Sequence, residues 1–144
     1  RTDRDVQRMN ELGARVRLVK GAYKEPETVA FQQKADVDAA FLRLTRTLLD
    51  EGTYPAIATH DPAMIEGTRA HATERAIAKD KFQFQMLYGI RRDLQAELSA
   101  EGHPVRLYVP FGREWFPYFM RRLGERPANV AFVIRAMLRD RDAA

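Results

Sequence analysis

Short apolar runs rich in β-branched residues recur along this chain, separated by longer stretches that mix apolar and charged residues. Runs of this length, bounded by turn-forming residues, are typical of strands. In the longer stretches the apolar residues recur three or four positions apart, the spacing of an amphipathic helix. The apolar runs predict four strands, at residues 16–19, 55–59, 81–87 and 105–109.

Helices are predicted between the strands from the same spacing and from residues suited to helix ends. Asp61 is a suitable cap for one helix, with Pro62 as its first residue. The segment 25–28 holds a proline and two acids, as at a helix start, and Gly52 is suited to end that helix. The predicted helices cover residues 3–12, 25–52, 62–78, 93–101, 114–123 and 128–139.

This alternation of strand and helix, repeated four times, indicates βα units and therefore a parallel sheet. Consecutive parallel strands are joined almost always by right-handed crossovers. We expect an α/β fold with four parallel strands in sequential order, forming a single unit over residues 1–144. In such folds the functional residues follow the carboxyl ends of the strands.

Composition narrows the class of protein without fixing it. Of the 144 residues, 45% are hydrophobic and 31% charged, which favours a globular domain over a disordered chain. The net charge of +4 is spread along the sequence, so an α/β module that binds nucleic acid stays open as an alternative. The absence of cysteine excludes thiolate metal sites and cysteine nucleophiles. Because the sequence begins without Met, we expect a fragment of a longer chain.

The residues at the predicted strand ends are cationic and aromatic, with one histidine. They include no pair of acids for glycoside hydrolysis, no recognisable Ser-His-Asp arrangement and no glycine-rich phosphate loop. The three histidines lack metal-ligand spacing, so no metal site is predicted. Such a set suits a large anionic ligand with a flat ring, together with a small carboxylate. Its members are Arg17, Lys20, Gly21, Tyr23, Thr59, His60, Asp61, Gln85, Leu87, Tyr88, Tyr108, Arg121 and Arg122.

Each feature also has a structural interpretation. Lys20 and Gly21 suit an ordinary turn, and residues 59–61 suit a helix cap. The glutamines at 83 and 85 could hydrogen-bond inside a barrel. Arg121 and Arg122 suit the solvated end of a helix. One site shared by successive strand ends explains all of these together.

Five blocks of the sequence, in this order, resemble the proline dehydrogenases, most closely the short monofunctional bacterial enzymes. The resemblance covers residues from about 15 to 138. Single blocks are weak evidence, but the ordered set is specific. The blocks are Arg17-Leu18-Val19-Lys20-Gly21-Ala22-Tyr23, Ala58-Thr59-His60-Asp61, Phe84-Gln85-Met86-Leu87-Tyr88-Gly89, Tyr108-Val109-Pro110-Phe111-Gly112, and Tyr118 with Arg121, Arg122 and Glu125.

The resemblance implies the C-terminal half of a distorted (β/α)8 TIM-type barrel that uses FAD to oxidise L-proline to Δ1-pyrroline-5-carboxylate. Hydride is expected to pass to the flavin N5 and electrons to a quinone. The implied location is cytoplasmic, with peripheral association at the inner face of the cell membrane, and no nucleic acid partner. Because only the second half of the barrel is matched, a truncated half-barrel without activity of its own is an alternative.

The resemblance also assigns roles to individual residues. Arg17 and Tyr108 are the implied catalytic residues, with Arg17 beside the flavin N5. The implied cofactor contacts are Arg17, Val19, Lys20, Gly21, Thr59 and His60. The implied proline pocket consists of Leu87, Tyr108, Arg121, Arg122 and Glu125, with the two arginines on the substrate carboxylate.

Overall fold

The structure, a computed structural model, describes residues 2–20 and 25–113. Within these ranges helices and strands alternate as the sequence predicts. The helices are α1 (Thr2–Glu11), α2 (Lys34–Glu51), α3 (Pro62–Glu74) and α4 (Arg92–Ala100), with a 3-10 turn at Lys79–Lys81. The strands are β1 (Arg17–Val19), β2 (Ala56–Ala58), β3 (Gln83–Leu87) and β4 (Val105–Tyr108).

The four strands form one sheet in the order β1-β2-β3-β4, and every neighbouring pair is parallel. The predicted topology of sequential parallel strands is therefore confirmed. The register places Leu18 opposite Ile57, Ile57 opposite Phe84, and Phe84 opposite Val105. Because side chains alternate between the faces of a strand, this row and every second row beside it face the same way.

The face that carries Leu18, Ile57 and Phe84 packs against the helices. Ile57 and Phe84 are fully buried, as are Leu48 of α2 and Leu98 of α4. Burying a side chain of this size contributes about 1.5–3 kcal/mol, so this layer is the main source of stability. The core cluster comprises Val6, Leu18, Phe41, Leu44, Leu48, Leu49, Ile57, Met64, Ile65, Ala72, Phe82, Phe84, Met86, Leu94 and Leu98.

Two predicted helix boundaries are wrong. Helix α2 begins at Lys34 rather than at residue 25. Residues 26–30 form an isolated turn, in which the amides of Val29 and Ala30 donate to the Pro26 carbonyl. Proline favours the first position of a single turn as much as that of a helix, so the sequence signal was real but its extent was overestimated.

The second wrong boundary is the end of α3, which lies at Glu74 rather than near residue 78. Ala76 adopts a positive φ of 52°, which a continuing helix does not allow. Ile77 still packs against the core, as its apolar character predicts.

The predicted helices at 114–123 and 128–139 lie outside the described residues. Among the helices that are described, none combines the length and the apolar composition needed to cross a bilayer.

Helices α2 and α3 approach closely at Gly67, where a Cβ atom would lie 2.6 Å from Cδ2 of Leu42. We expect Gly67→Val to lower the free energy of unfolding by about 1–3 kcal/mol, since its branched side chain must displace Leu42 from a packed interface. Ala70→Val is the matched control, because Ala70 lies on the exposed side of α3 and should lose only about 0.5 kcal/mol of helix propensity. Urea unfolding measures both, and equal losses would contradict the close approach.

Candidate active site

The sheet face opposite the helices carries an arginine that reaches across three strands. Arg17 Nε donates a hydrogen bond to Gln85 Oε1 over 2.6 Å. Arg17 is the first residue of β1 and Gln85 the third of β3, with β2 between them. Because neighbouring strands lie about 4.8 Å apart, the two side chains together span roughly 10 Å of sheet.

Small side chains on β2 leave room for this bridge. Ala56 pairs with Arg17, and Ala58 pairs with Val19 and Gln85. Both alanines are buried, yet neither belongs to the apolar cluster beneath the helices. Their short side chains therefore leave space above β2 in which the side chains of Arg17 and Gln85 meet.

Apolar and aromatic groups lie open on the same face. Val19 shares a row with Ala58, and Tyr108 pairs with the last residue of β3, Leu87. Val19 is 49% exposed and Tyr108 47% exposed, whereas inward positions of a packed barrel are filled by neighbouring side chains. This face therefore carries exposed apolar and aromatic side chains together with the Arg17 guanidinium and the Gln85 amide.

His60 follows β2 and links its carboxyl end to the end of β3 through a hydrogen bond. Its Nε2 accepts the backbone N–H of Leu87 over 2.8 Å. Burial, assisted by the positive charge of Arg91, lowers the pKa of His60 from 6.5 to about 4. The ring is therefore neutral near pH 7, and because Nε2 is an acceptor, Nδ1 carries the proton. His60 thus offers one fixed N–H donor at the end of the sheet.

Lys20, which follows β1 directly, belongs to the helix side of the sheet. Its Nζ lies 2.5 Å from Asp38 Oδ1 of α2 and 2.5 Å from Asp61 Oδ2, and its side chain is only 13% exposed. Burial, the largest single influence, opposes ionisation of both carboxyl groups, but the hydrogen bond and charge of Lys20 together with the other nearby donors lower the pKa of each. Lys34 contributes in the same direction.

Thr59 and Asp61 form the turn into α3, as the helix-cap interpretation predicts. The Thr59 hydroxyl accepts the N–H of Asp61 over 3.1 Å, and Asp61 Oδ1 accepts the N–H of Ala63 over 3.0 Å. The cap is therefore the observed role of these two side chains. It holds the loop from which His60 extends.

The structure brings together some predicted site residues and separates others. His60, Leu87 and Tyr108 meet at the carboxyl ends of β2, β3 and β4, whereas Arg17 lies nearer the start of β1 on the same face. The Lys20 ammonium is engaged in salt bridges and the Thr59 hydroxyl in the turn into α3. The cofactor contacts assigned to these residues stay predictions. The predicted site residues Gly21, Arg121, Arg122 and Glu125 lie outside the described residues.

Two residues of this region had no signal in the sequence analysis. Asp38 was one acid among many in a predicted helix, and its partner Lys20 lies 18 positions earlier. Arg91 precedes α4 in a left-handed conformation, with φ 55°, and its Nε donates to both carboxylate oxygens of Asp93. The pairing of Asp38 with Lys20 and the influence of Arg91 on His60 depend on how the helices pack against the sheet, which spacing along the chain does not encode.

We expect Lys20→Met to lower the free energy of unfolding by about 1–3 kcal/mol, because it leaves the Asp38 and Asp61 carboxylates facing each other without their shared cation. The matched control is Lys34→Met, since Lys34 pairs with the same carboxylates but its side chain is 74% exposed. That change should cost less than about 1 kcal/mol. Urea unfolding of both variants gives the comparison, and a larger loss in Lys34→Met would refute the central role of Lys20.

Lowering the pH should reduce the free energy of unfolding, because His60 has a lowered pKa in the folded protein. Between its folded pKa of about 4 and the ordinary value of 6.5, the unfolded chain binds more protons. The stabilisation is therefore complete above pH 6.5 and is lost as the pH falls toward 4, with about 1–2 kcal/mol lost between pH 7 and pH 5. His60→Asn should abolish this loss of stability between pH 7 and pH 5. The control is His71→Asn, on α3, where His71 contacts Asp50 of α2, and it should keep the loss. Identical pH dependence in His60→Asn and the unchanged protein would disprove the assignment.

Comparison with known proteins shows which family has this sequence and fold. Residues 2–135 match the family model described as proline dehydrogenase. The chain is 51% identical over 137 residues to Proline dehydrogenase 2 of Bacillus subtilis, covering 95% of this chain and 45% of that protein. It is 50% identical over 131 residues to Proline dehydrogenase of Deinococcus radiodurans, covering 91% of this chain and 42% of that protein.

A solved structure shows the same architecture. The crystal structure of proline utilization A (PutA) from Bdellovibrio bacteriovorus inactivated by N-propargylglycine matches with a TM-score of 0.76 at 29% identity. The match covers 83% of this chain and 15% of that one. It confirms the predicted fold class, in which four parallel strands with their helices form part of a TIM-type barrel. The chain spans a little under half the length of the curated relatives it matches, and it belongs to the proline dehydrogenase family.

Proposed function

We propose that the natural protein containing this chain oxidises L-proline to Δ1-pyrroline-5-carboxylate with a bound FAD. The observation that carries the proposal is the sheet face opposite the helices, on which Arg17 is held by Gln85 beside apolar and aromatic side chains. Membership of the proline dehydrogenase family supports the substrate class. Because the chain covers 45% of its Bacillus relative, the activity is proposed for the complete protein.

The described residues fit a flavin on this face. A flat tricyclic ring needs apolar contacts, and the exposed side chains of Val19 and Tyr108 offer them on this face. Such a ring also needs donors at its polar edge. Within the described part of the chain, Gln85 is the one partner shown for Arg17, and it uses one of the five guanidinium N–H donors. Among the described residues no partner is shown for the other four donors.

The chemistry requires removal of a hydride from the ring carbon next to nitrogen and of the proton on nitrogen, which leaves a C=N bond. When bound, the flavin accepts the hydride. Arg17 contributes a fixed positive charge at the place where flavin reduction develops negative charge. His60 contributes a neutral Nδ1–H donor at the end of β2, so it adds a hydrogen bond without adding a second charge.

Tyr108 and Leu87 would form the apolar wall against the ring methylenes of proline, since they are paired at the carboxyl end of β3 and β4. For the substrate carboxylate we retain the sequence-based assignment to Arg121 and Arg122, with Glu125 as their anchor. Two planar guanidinium groups match one carboxylate and fix its orientation.

We also propose a quinone as the electron acceptor. Quinones are lipid-soluble, so this acceptor would bring an otherwise cytoplasmic protein to the inner face of the cell membrane. The support is the sequence resemblance to the monofunctional bacterial enzymes.

The test uses the purified natural protein and its flavin absorption bands. We expect one FAD per polypeptide, and anaerobic L-proline should bleach the oxidised bands while D-proline should not. Arg17→Met should slow this bleaching by about a hundredfold, as removal of one donor from a developing charge typically does. Arg15→Met is the control, because Arg15 is exposed and lies over the Tyr54 ring instead, so bleaching should be unchanged. A protein that binds no flavin, or whose flavin L-proline does not bleach, would refute the proposed function.

A further inference from the structure

We propose that Gln85 is a positioning residue for Arg17, holding its guanidinium plane over the sheet so that both terminal NH2 groups meet the flavin. The inference rests on the proposed function for its chemistry. Its structural basis is the Arg17–Gln85 hydrogen bond itself, which joins β1 to β3 across β2.

The contact is specific in which atom it uses. The hydrogen bond of 2.6 Å joins Gln85 Oε1 to Nε of Arg17, not to either terminal nitrogen. Nε lies on the inner edge of the planar guanidinium, so an acceptor there fixes the plane and leaves both NH2 groups as donors. An arginine on an exposed strand position has many rotamers, and one acceptor on β3, two strands away, selects among them.

The sheet holds Gln85 rigidly in place for this role. Gln85 is in the middle of β3, paired with Ala58 on one side and with Arg106 on the other. Its side chain is half-buried, whereas Arg17 is exposed. The more buried partner therefore comes from the centre of the sheet and orients the more exposed one.

An amide suits this position better than a carboxylate. A glutamate would accept the same hydrogen bond but would neutralise the guanidinium. Gln85 fixes Arg17 and leaves its full positive charge for the negative charge that flavin reduction develops. Ala58 is the second requirement, because the two side chains meet above it and a larger residue would block their approach.

The experiment compares four variants of the natural protein loaded with FAD. Gln85→Met removes the acceptor, Gln85→Glu keeps it with a charge, and Ala58→Val blocks the approach from a different residue. Gln83→Met is the matched control, since Gln83 lies two residues earlier on the same face of β3 and pairs with Ala56. Three quantities are measured: the rate of anaerobic flavin reduction by L-proline, the flavin midpoint potential, and the solvent exchange of the Arg17 Nε–H by 15N NMR.

In Gln85→Met and in Ala58→Val we expect flavin reduction to slow by about ten- to a hundredfold, as expected when a reacting group is displaced by about 1 Å. The KM for proline and the flavin content should change little, and the Nε–H should exchange faster. Gln85→Glu should keep the slow Nε–H exchange but make the midpoint potential more negative. Gln83→Met should match the unchanged protein in all three measurements.

Unaltered Nε–H exchange and an unaltered reduction rate in Gln85→Met would overturn the proposal, and so would equal losses in Gln83→Met. Should Gln85→Met not fold, Ala58→Val decides by the same criteria. Failure of the proposed function is distinguishable, because it appears in the unchanged protein as absent flavin or absent bleaching. In that case the exchange of the Arg17 Nε–H in the flavin-free protein still tests the contact.

Discussion

Burial of one face of the four-stranded sheet under the helices determines the position of everything else in this molecule. The row of Leu18, Ile57 and Phe84 is packed beneath the helices. Since side chains alternate strictly along a strand, the intervening residues must emerge on the opposite face. A shift of the β1 register by one residue would turn Arg17 into the core and expose Leu18, so the buried face fixes the register. The core therefore orients the candidate site without touching it.

Charges are divided between the two sides of the sheet in the same way. The Lys20 ammonium is balanced by Asp38 and Asp61 on the helix side, where it joins β1 to α2 and to the start of α3. On the open side, Arg17 meets a neutral amide, so its charge is not cancelled by that partner. Lys20 thus stabilises the fold, while Arg17 keeps its charge on the face opposite the helices.

The fold could be predicted largely from the sequence because its determinants are local. Apolar runs and helical spacing gave the strands, their order and the fold class, and Asp61 gave the start of α3. The start of α2 was misplaced because Pro26 marks a turn as readily as a helix. The partners of Lys20 and of Arg17 could not be predicted. Asp61 lies 41 positions from Lys20, and Gln85 lies 68 positions from Arg17, so only the assembled sheet brings each pair together.

The central claim is that the sheet face opposite the helices binds the flavin. A crystal structure of the natural protein with FAD bound tests this most directly. We predict electron density for the flavin ring on the face that carries Arg17, Val19 and Ala58, with the guanidinium of Arg17 in contact with the ring and still bonded to Gln85. A flavin ring bound anywhere else in the protein, or density that leaves Arg17 without a contact to it, would contradict the account.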